Sequence, residues 1–254
     1  MDLTDPNLSV RLAASEDDIR AAQRLRYAVF VDELGASGGM VDHAAGLEQD
    51  AYDAAAEHLI LEDRRRPGAV VGVYRLLTEA AAARAGGFYS EAEYDLAPLK
   101  ASGRRLLELG RSCLHPEYRG GTSMLLLWRG VGEYVLRNRI EVLFGVASFH
   151  GTDVAPLAGP LSLLHHRFLA PPELRVRARQ DAFQPMDLLP EDEIDRAAAM
   201  RATPALIKAY LKLGGCVGEG AYVDRAFNTI DVCLVMDTAA MGAEARRRYG
   251  GEGA

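Results

Sequence analysis

Long apolar runs, cysteines and positive net charge are all scarce in this 254-residue chain, and each shortage removes a class of protein. No apolar stretch reaches the roughly 18 residues of a membrane-spanning helix. No early apolar run follows a basic start, so a secretory signal is not expected. The three cysteines, Cys113, Cys216 and Cys233, are odd in number and widely spaced. They suit a reducing, cytoplasmic compartment and argue against a disulfide framework or a zinc site. His165-His166 has no cysteine or carboxylate at ligand spacing, and no metal is expected there. The net charge of −7 speaks against general nucleic-acid binding. Nor is there an internal repeat or a low-complexity linker that would force two domains.

What is present is ordinary globular composition, 49% hydrophobic and 26% charged, in a chain long enough to bury a core without staples. The charge is unevenly spread. Residues 101–140 hold seven arginines against Glu108, Glu117 and Glu133, a balance of +4 that leaves −11 for the rest. Such an island points to an acidic partner or to phosphate docking, or else to a solvated helix face with scattered ion pairs.

Alternation and turn residues predict strands at Leu8–Leu12, His58–Leu61, Ala69–Leu77, 106–113, Val142–Phe149 and Asp231–Met236. Ser15-Glu-Asp-Asp18 reads as the capped start of a helix running to about Leu34, ended by Gly35–Gly39. Further helices are expected at 123–138 and near Pro160–Leu169, and at two segments starting from Pro190 and Pro204. The acidic stretch Glu48–Asp53 reads as loop. Strands mixed with helices at uneven spacing imply one α/β layer domain over 1–254, with an N-terminal core to about 155 and an elaborated C-terminal third over 156–240.

The stretch LLELGRSCLHPEYRGGTSMLLL (106–127) carries the chemistry. It reads as a strand, a break over Pro116–Gly121 and an apolar helix. A strand handing over to a helix through glycines turns backbone N–H groups and the positive helix end toward an anion. Glu108 and Arg111 lie just before that turn, and phosphopantetheine-dependent acyl transfer is the reaction class this arrangement brings forward.

Several segments in order complete a family pattern: LRYAVFVDEL (25–34), EQDAYD (48–53), VGVYRLLT (71–78) and LELGRSC (107–113). The chain thereby resembles the acyl-homoserine lactone synthases. It resembles still more their relatives, the L-ornithine Nα-acyltransferases of ornithine lipid synthesis, through GFYSEAEYDL (87–96), LLLWRGVGEYV (125–135), VLFGVASFHGTD (142–153) and NTIDVCLVMD (228–237). The likeness covers roughly residues 10–240. It implies a GNAT-like N-acyltransferase fold, a mixed central sheet flanked by helices. It also implies transfer of a 3-hydroxyacyl group from acyl carrier protein to the α-amine of L-ornithine, giving lyso-ornithine lipid with no permanently bound cofactor. By position, the pattern falls on Arg26, Phe30, Asp50, Asp53 and Arg75 for the acceptor and acyl chain, and on Glu108 and Arg111 for catalysis.

The segment Arg119, Gly120, Gly121, Thr122 and Ser123 is the expected phosphopantetheine cradle. It departs from the R/Q-x-x-G-x-G/A of the acetyl-CoA branch by Thr122 and Met124. A carrier-borne pantetheine presents one phosphate where CoA presents more, so the departure favours the carrier protein.

Residue chemistry fits this reading without replacing it. Amide formation needs a neutral amine, and Glu108 is the best-placed carboxylate to take the proton; its alternative is an ion pair with Arg111. Three residues apart, the two face opposite sides of a regular strand, and a bulge at Gly110 would bring them together. Arg26 or Arg75 could fork onto an amino-acid carboxylate and Asp50 or Asp53 could hold a second ammonium, or the four could close an ion-pair network. Cys113 reads as a core thiol. His58-Leu-Ile-Leu-Glu-Asp63 matches the H-x4-D string of glycerolipid acyltransferases, but its ends face opposite sides of a strand. An acyl-homoserine lactone synthase acting on S-adenosylmethionine, a non-catalytic carrier- or lipid-binding homologue and a CoA-dependent small-molecule N-acetyltransferase, which the incomplete glycine pattern disfavours, are the alternatives. Because the product would be a lyso-lipid, peripheral membrane contact is expected, with the Arg246–Tyr249 tail and amphipathic helices around 204–213 as candidates.

Overall fold

The computed structural model describes residues 5–37, 40–120 and 122–240. Gly121 of the expected cradle and the Arg246–Tyr249 tail lie outside them. Two compact units interleave along the chain. Among the described residues, one takes the chain up to Gly87 together with Leu109–Arg139; the other takes Phe88–Glu108 and the chain from Ile140 on.

The first unit opens with β1 (Leu8–Leu12) and α1 (Glu16–Arg26). Ser15 caps α1 by accepting a hydrogen bond from the Asp18 N–H at 3.2 Å, as its position predicts. Helix continues to Glu33, but α1 stops at Arg26 and Tyr27–Glu33 is wound as a π-helix. A short hairpin of β2 (Val41–Asp42) and β3 (Leu47–Glu48) follows, then β4 (Glu57–Asp63), β5 (Val70–Thr78) and α2 (Glu79–Ala85). β1 and β5 flank β4, both antiparallel to it. Ala22, Leu25 and Val29 pack on Ile60, Val73 and Cys113, with Phe30 against the cluster.

The second unit holds β6 (Tyr94–Asp95) and α3 (Ala97–Ala101) and begins β7 (Leu106–Leu114), which belongs to it as far as Glu108 and to the first unit beyond. α4 (Ser123–Asn138) returns to the first unit. A Cβ at Gly130 would sit 2.5 Å from Val10 and 3.0 Å from Leu59, so α4 lies with its backbone against β1 and β4.

The remaining elements are β8 (Val142–His150), α5 (Ala158–Phe168), β9 (Arg177–Ala178), β10 (Phe183–Gln184), α6 (Arg196–Ala202), α7 (Ala205–Lys212), β11 (Cys216–Val217), β12 (Ala221–Asp224) and β13 (Thr229–Asp237). The start of β7 pairs parallel with β8, Leu106–Glu108 against Val142–Phe144. β8 pairs antiparallel with β13 over nine residues, from Val142↔Asp237 to His150↔Thr229. Parallel and antiparallel pairing in one sheet, with helices beside it, is the mixed α/β architecture expected.

Two sequence expectations are corrected. PEDEIDR does not start a helix at its proline: Glu191–Glu193 is a single 3-10 turn, and α6 begins only after Asp195, whose carboxylate accepts from the Ala198 N–H at 2.9 Å. The stretch Glu48–Asp53 is loop only after Glu48, which belongs to β3. Among the described residues no helix is long and apolar enough to cross a membrane.

Candidate active site

In the first unit, three arginines and three carboxylates close an alternating ring. Arg26, the last residue of α1, bonds Glu48 through Nε and Asp53 through Nη1, the latter at 2.7 Å. Asp53 also lies 3.1 Å from Arg75 Nη1, and that same nitrogen donates to Asp50. Arg111 reaches Asp50 at 3.0 Å and Glu48 at 3.2 Å, which completes the circuit. Gln23 adds a donor to Asp53 at 3.0 Å, and the Arg75 guanidinium stands 5.4 Å from the Tyr52 ring centroid.

Local sequence explains how each side chain arrives there. Asp50 accepts from the Tyr52 N–H at 2.9 Å, and the Asp53 N–H donates to the Asp50 carbonyl at 3.2 Å. This Asx-type turn sets the two aspartates three residues apart on one side. Arg75 stands opposite His58 in the β4–β5 register, inside a strand buried along most of its length. Arg111 adopts φ +51°, the left-handed region a non-glycine residue enters only at a cost of order 1–3 kcal/mol. β7 thus departs from regular strand geometry at Arg111, whereas Gly110 has no positive φ.

Burial and charge oppose each other in the ring. Burial disfavours a charged Arg26, yet Glu48 and Asp53 outweigh it and raise its pKa. Burial would likewise raise Asp53, but Arg26 and Arg75 hold it well below the usual carboxylate range. Asp50 is lowered against the same penalty by Arg75 and Arg111. Arg26, Asp50 and Asp53 thus stay ionised. The most accessible members are Arg111 and Asp50, with 13% and 15% of their side-chain surface exposed, against 0% for Arg26 and 3% for Arg75. The site therefore offers a guanidinium beside a carboxylate at its open edge. Glu48 and Gln23 lie outside the positions the family pattern marks, although Glu48 opens the EQDAYD segment.

Glu108 belongs to the second unit. It stands on β7 opposite Phe144 and is 3% exposed. Its two oxygens accept from the Tyr89 N–H at 2.8 Å, the Ser90 N–H at 2.7 Å and the Ser90 hydroxyl. These are the first N–H groups of the 3-10 turn Tyr89–Ala92, so the carboxylate caps that turn.

The expected cradle lies at the start of α4 in the first unit. Gly120 takes φ +79°, Thr122 is the N-cap residue without a side-chain cap bond, and Ser123 is buried in the first turn. No acidic residue occupies that turn, which leaves the positive helix end uncompensated by its own side chains. Arg119 forks onto Glu33 at 2.6 and 2.7 Å. Elsewhere in the basic island, Arg104 holds Asp237 at 2.9 Å and Arg111 lies in the ring, so much of its charge is used in ion pairs.

Three other sequence signals find their places. Burial pushes the Cys113 thiol up to about 12, which makes it a core thiol. His58 Nε2 lies 3.0 Å from the Asp53 carbonyl, whereas Asp63 holds Arg65 and Tyr118; the H-x4-D string does not act as a pair. Asp187, unforeseen from spacing, joins His165 and His166 with possible ligand atoms within 4.8 Å of one another. His166 Nε2, however, lies 3.0 Å from the Leu189 carbonyl and is used as a donor there.

Residues 25–129 match the model of an acetyltransferase (GNAT) domain family. The chain is 59% identical to an L-ornithine N(alpha)-acyltransferase of Rhodobacter capsulatus over 94% of this chain and 93% of that one. It is 42% identical to an L-ornithine N(alpha)-acyltransferase of Brucella abortus, covering 97% and 90%. Among solved structures, the acyl-homoserine lactone synthase LasI superposes with TM-score 0.51 at 14% identity, over 96% of this chain and 95% of that one. Fold, domain match and sequence identity over nearly the whole length agree, and the chain belongs to the L-ornithine N(alpha)-acyltransferases, enzymes of the GNAT fold.

Proposed function

We propose that this enzyme acylates the α-amine of L-ornithine with a 3-hydroxyacyl group carried as a thioester on acyl carrier protein, releasing lyso-ornithine lipid and the free carrier thiol. The observation that carries the acceptor reading is the open edge of the ion-pair ring, where Arg111 and Asp50 offer one cationic and one anionic group side by side. An amino acid is a zwitterion, and ornithine carries a further ammonium; a guanidinium fork for its carboxylate and a carboxylate for its side-chain ammonium are the matching partners. Holding the δ-ammonium as an ion leaves the α-amine as the nucleophile. Arg26, Arg75 and Asp53 form the buried back of the ring and fix the orientation of its edge; Phe30, on the adjoining π-helix, contributes apolar surface for the acyl chain.

The amine nitrogen attacks the thioester carbonyl, the C–N bond forms and the C–S bond breaks. A model α-amino group has a pKa of about 8, so at neutral pH a proton must leave before or during attack. We assign its acceptance, directly or through a water, to Glu108. No acyl-enzyme is needed, which agrees with the buried, protonated state of Cys113. Arg119, Gly120, Gly121, Thr122 and Ser123 are proposed to receive the phosphopantetheine phosphate at the start of α4. The same reading puts the reaction in the cytoplasm, with peripheral membrane contact.

The test is a mass-spectrometric assay with 3-hydroxyacyl carrier protein, a mixture of amino acids and S-adenosylmethionine. A 3-hydroxyacyl-ornithine, absent when acyl-CoA replaces the carrier, is the expected product. An acyl-homoserine lactone, or equal use of acyl-CoA, overturns the acceptor or the donor assignment respectively.

A further inference from the structure

A groove of about 600 Å³ opens in the second unit among α5, α6 and α7. Its size falls within the roughly 300–1,000 Å³ of small-molecule sites. Phe168, Met200 and Leu211 line it with half-buried apolar surface, and Arg201, Lys208 and Lys212 supply its charge. Among the described residues no acidic one lines it.

Three features make this more than a surface dent. The chain contains only three lysines, Lys100, Lys208 and Lys212, and two of them stand one turn apart on α7 beside this groove. Among the described residues, Arg201, Lys208 and Lys212 form no ion pair. The neighbouring acid Glu191 is held instead by Arg167 at 2.6 Å and Arg196 at 3.4 Å. A cluster of three cations with no partner of opposite charge among the described residues, on a protein of net charge −7, is a local reversal of the molecule's field. Its combination with an apolar floor selects an amphiphile and not a simple anion. Lysine stems can lie along apolar surface while their ammonium groups reach outward, the usual posture at a lipid interface.

We propose that this groove binds an anionic phospholipid of the bilayer, the headgroup phosphate on Arg201, Lys208 and Lys212 and an acyl chain along Phe168, Met200 and Leu211. It is a membrane-docking site distinct from the acceptor ring, and it holds the enzyme at the surface into which a one-chain amphiphilic product partitions. The site itself rests on the groove's own chemistry; only that last benefit rests on the proposed reaction.

The full-length protein is to be co-sedimented with phosphatidylglycerol vesicles and with phosphatidylcholine vesicles, without any reaction substrate. Binding to the first that weakens with salt, and little binding to the second, is expected. The Lys208→Glu/Lys212→Glu variant should lose vesicle affinity by at least about tenfold, given the contribution of each basic group near an anionic surface. Its thermal midpoint and its turnover of soluble substrates should match wild type. Lys208→Gln/Lys212→Gln provides the milder comparison should charge reversal disturb the fold. Wild-type failure to bind phosphatidylglycerol, or undiminished binding by both variants, overturns the proposal. So does a raised KM for acyl carrier protein with vesicle binding unchanged, which would assign the groove to the acidic carrier. Because vesicle binding is read without catalysis, failure of the acyl-transfer assay leaves this result standing.

Discussion

At the scale of single residues, the ion-pair ring separates groups that hold the fold from groups that meet a substrate. Arg26 is fully buried between Glu48 and Asp53. Arg26→Met takes one of two arginine partners from each of two buried carboxylates, leaving Glu48 to Arg111 and Asp53 to Arg75, and should cost about 3–5 kcal/mol, read as a fall in urea midpoint. Asp50→Asn lies at the accessible edge and should chiefly raise the KM for ornithine, by tenfold or more, with a smaller midpoint change. The opposite pattern would move the acceptor away from this edge. Glu108 poses the second question, since it caps the Tyr89–Ala92 turn as well as being the proposed proton acceptor. Glu108→Gln loses one acceptor to a facing N–H, about 1–3 kcal/mol, and removes the base, worth roughly 10²–10⁴ in kcat. Ser90→Ala deletes one of the same hydrogen bonds and keeps the carboxylate. If Glu108→Gln and Ser90→Ala lose activity equally, Glu108 is a capping residue and the base lies elsewhere. Arg26, Asp50, Asp53, Arg75 and Arg111 were legible because the family pattern marks them. Glu48 was not: its partner Arg26 is 22 residues away, and only the β2–β3 hairpin turns the two together.

At the scale of elements, apolar periodicity located nearly every long strand and helix, because one buried face suffices to mark each. It did not show where α1 gives way to the π-helix at Tyr27, since a change in hydrogen-bond register leaves the apolar spacing almost unaltered. Nor does it mark the start of α6, which is set by the capping carboxylate of Asp195 and not by Pro190. The two-residue strands β2, β3 and β6 carry too little pattern to be found at all. The close seat of α4 gives a direct test of packing. In Gly130→Ala the new methyl would lie 2.5 Å from Val10 Cγ1 and 3.0 Å from Leu59 Cδ2, both side-chain ends with limited room in the sheet. We expect a loss of about 1–3 kcal/mol from overpacking, despite alanine's better helix propensity. A gain in denaturant midpoint would mean that α4 moves off β1 and β4 at little cost.

At the scale of the whole molecule, buried His58, Asp50 and Asp53 make stability fall as pH drops below neutral. Family and reaction class were readable from ordered motifs along most of the chain, whereas this pH response depends on burial and pairing that no motif states. Burial lowers the His58 pKa below its ordinary value of about 6.5, so the unfolded chain takes up a proton there before the folded one does. Its contribution is full above about pH 6.5 and is lost as pH falls toward the lower folded value. Asp50 and Asp53 are held below the ordinary carboxylate value of about 4. Their contribution is full above that pH and disappears as acid reaches the still lower folded values. The two effects add, and neither weakens the protein on the alkaline side. Urea midpoints measured from about pH 8 down to about pH 3 should therefore show a shallow decline beginning near pH 6.5 and a steeper one below about 4. His58→Gln retains an N–H for the Asp53 carbonyl and cannot titrate; it should remove the shallow decline and leave the steep one. A His58→Gln curve parallel to wild type between about pH 7 and 5 would assign the shallow phase to another group.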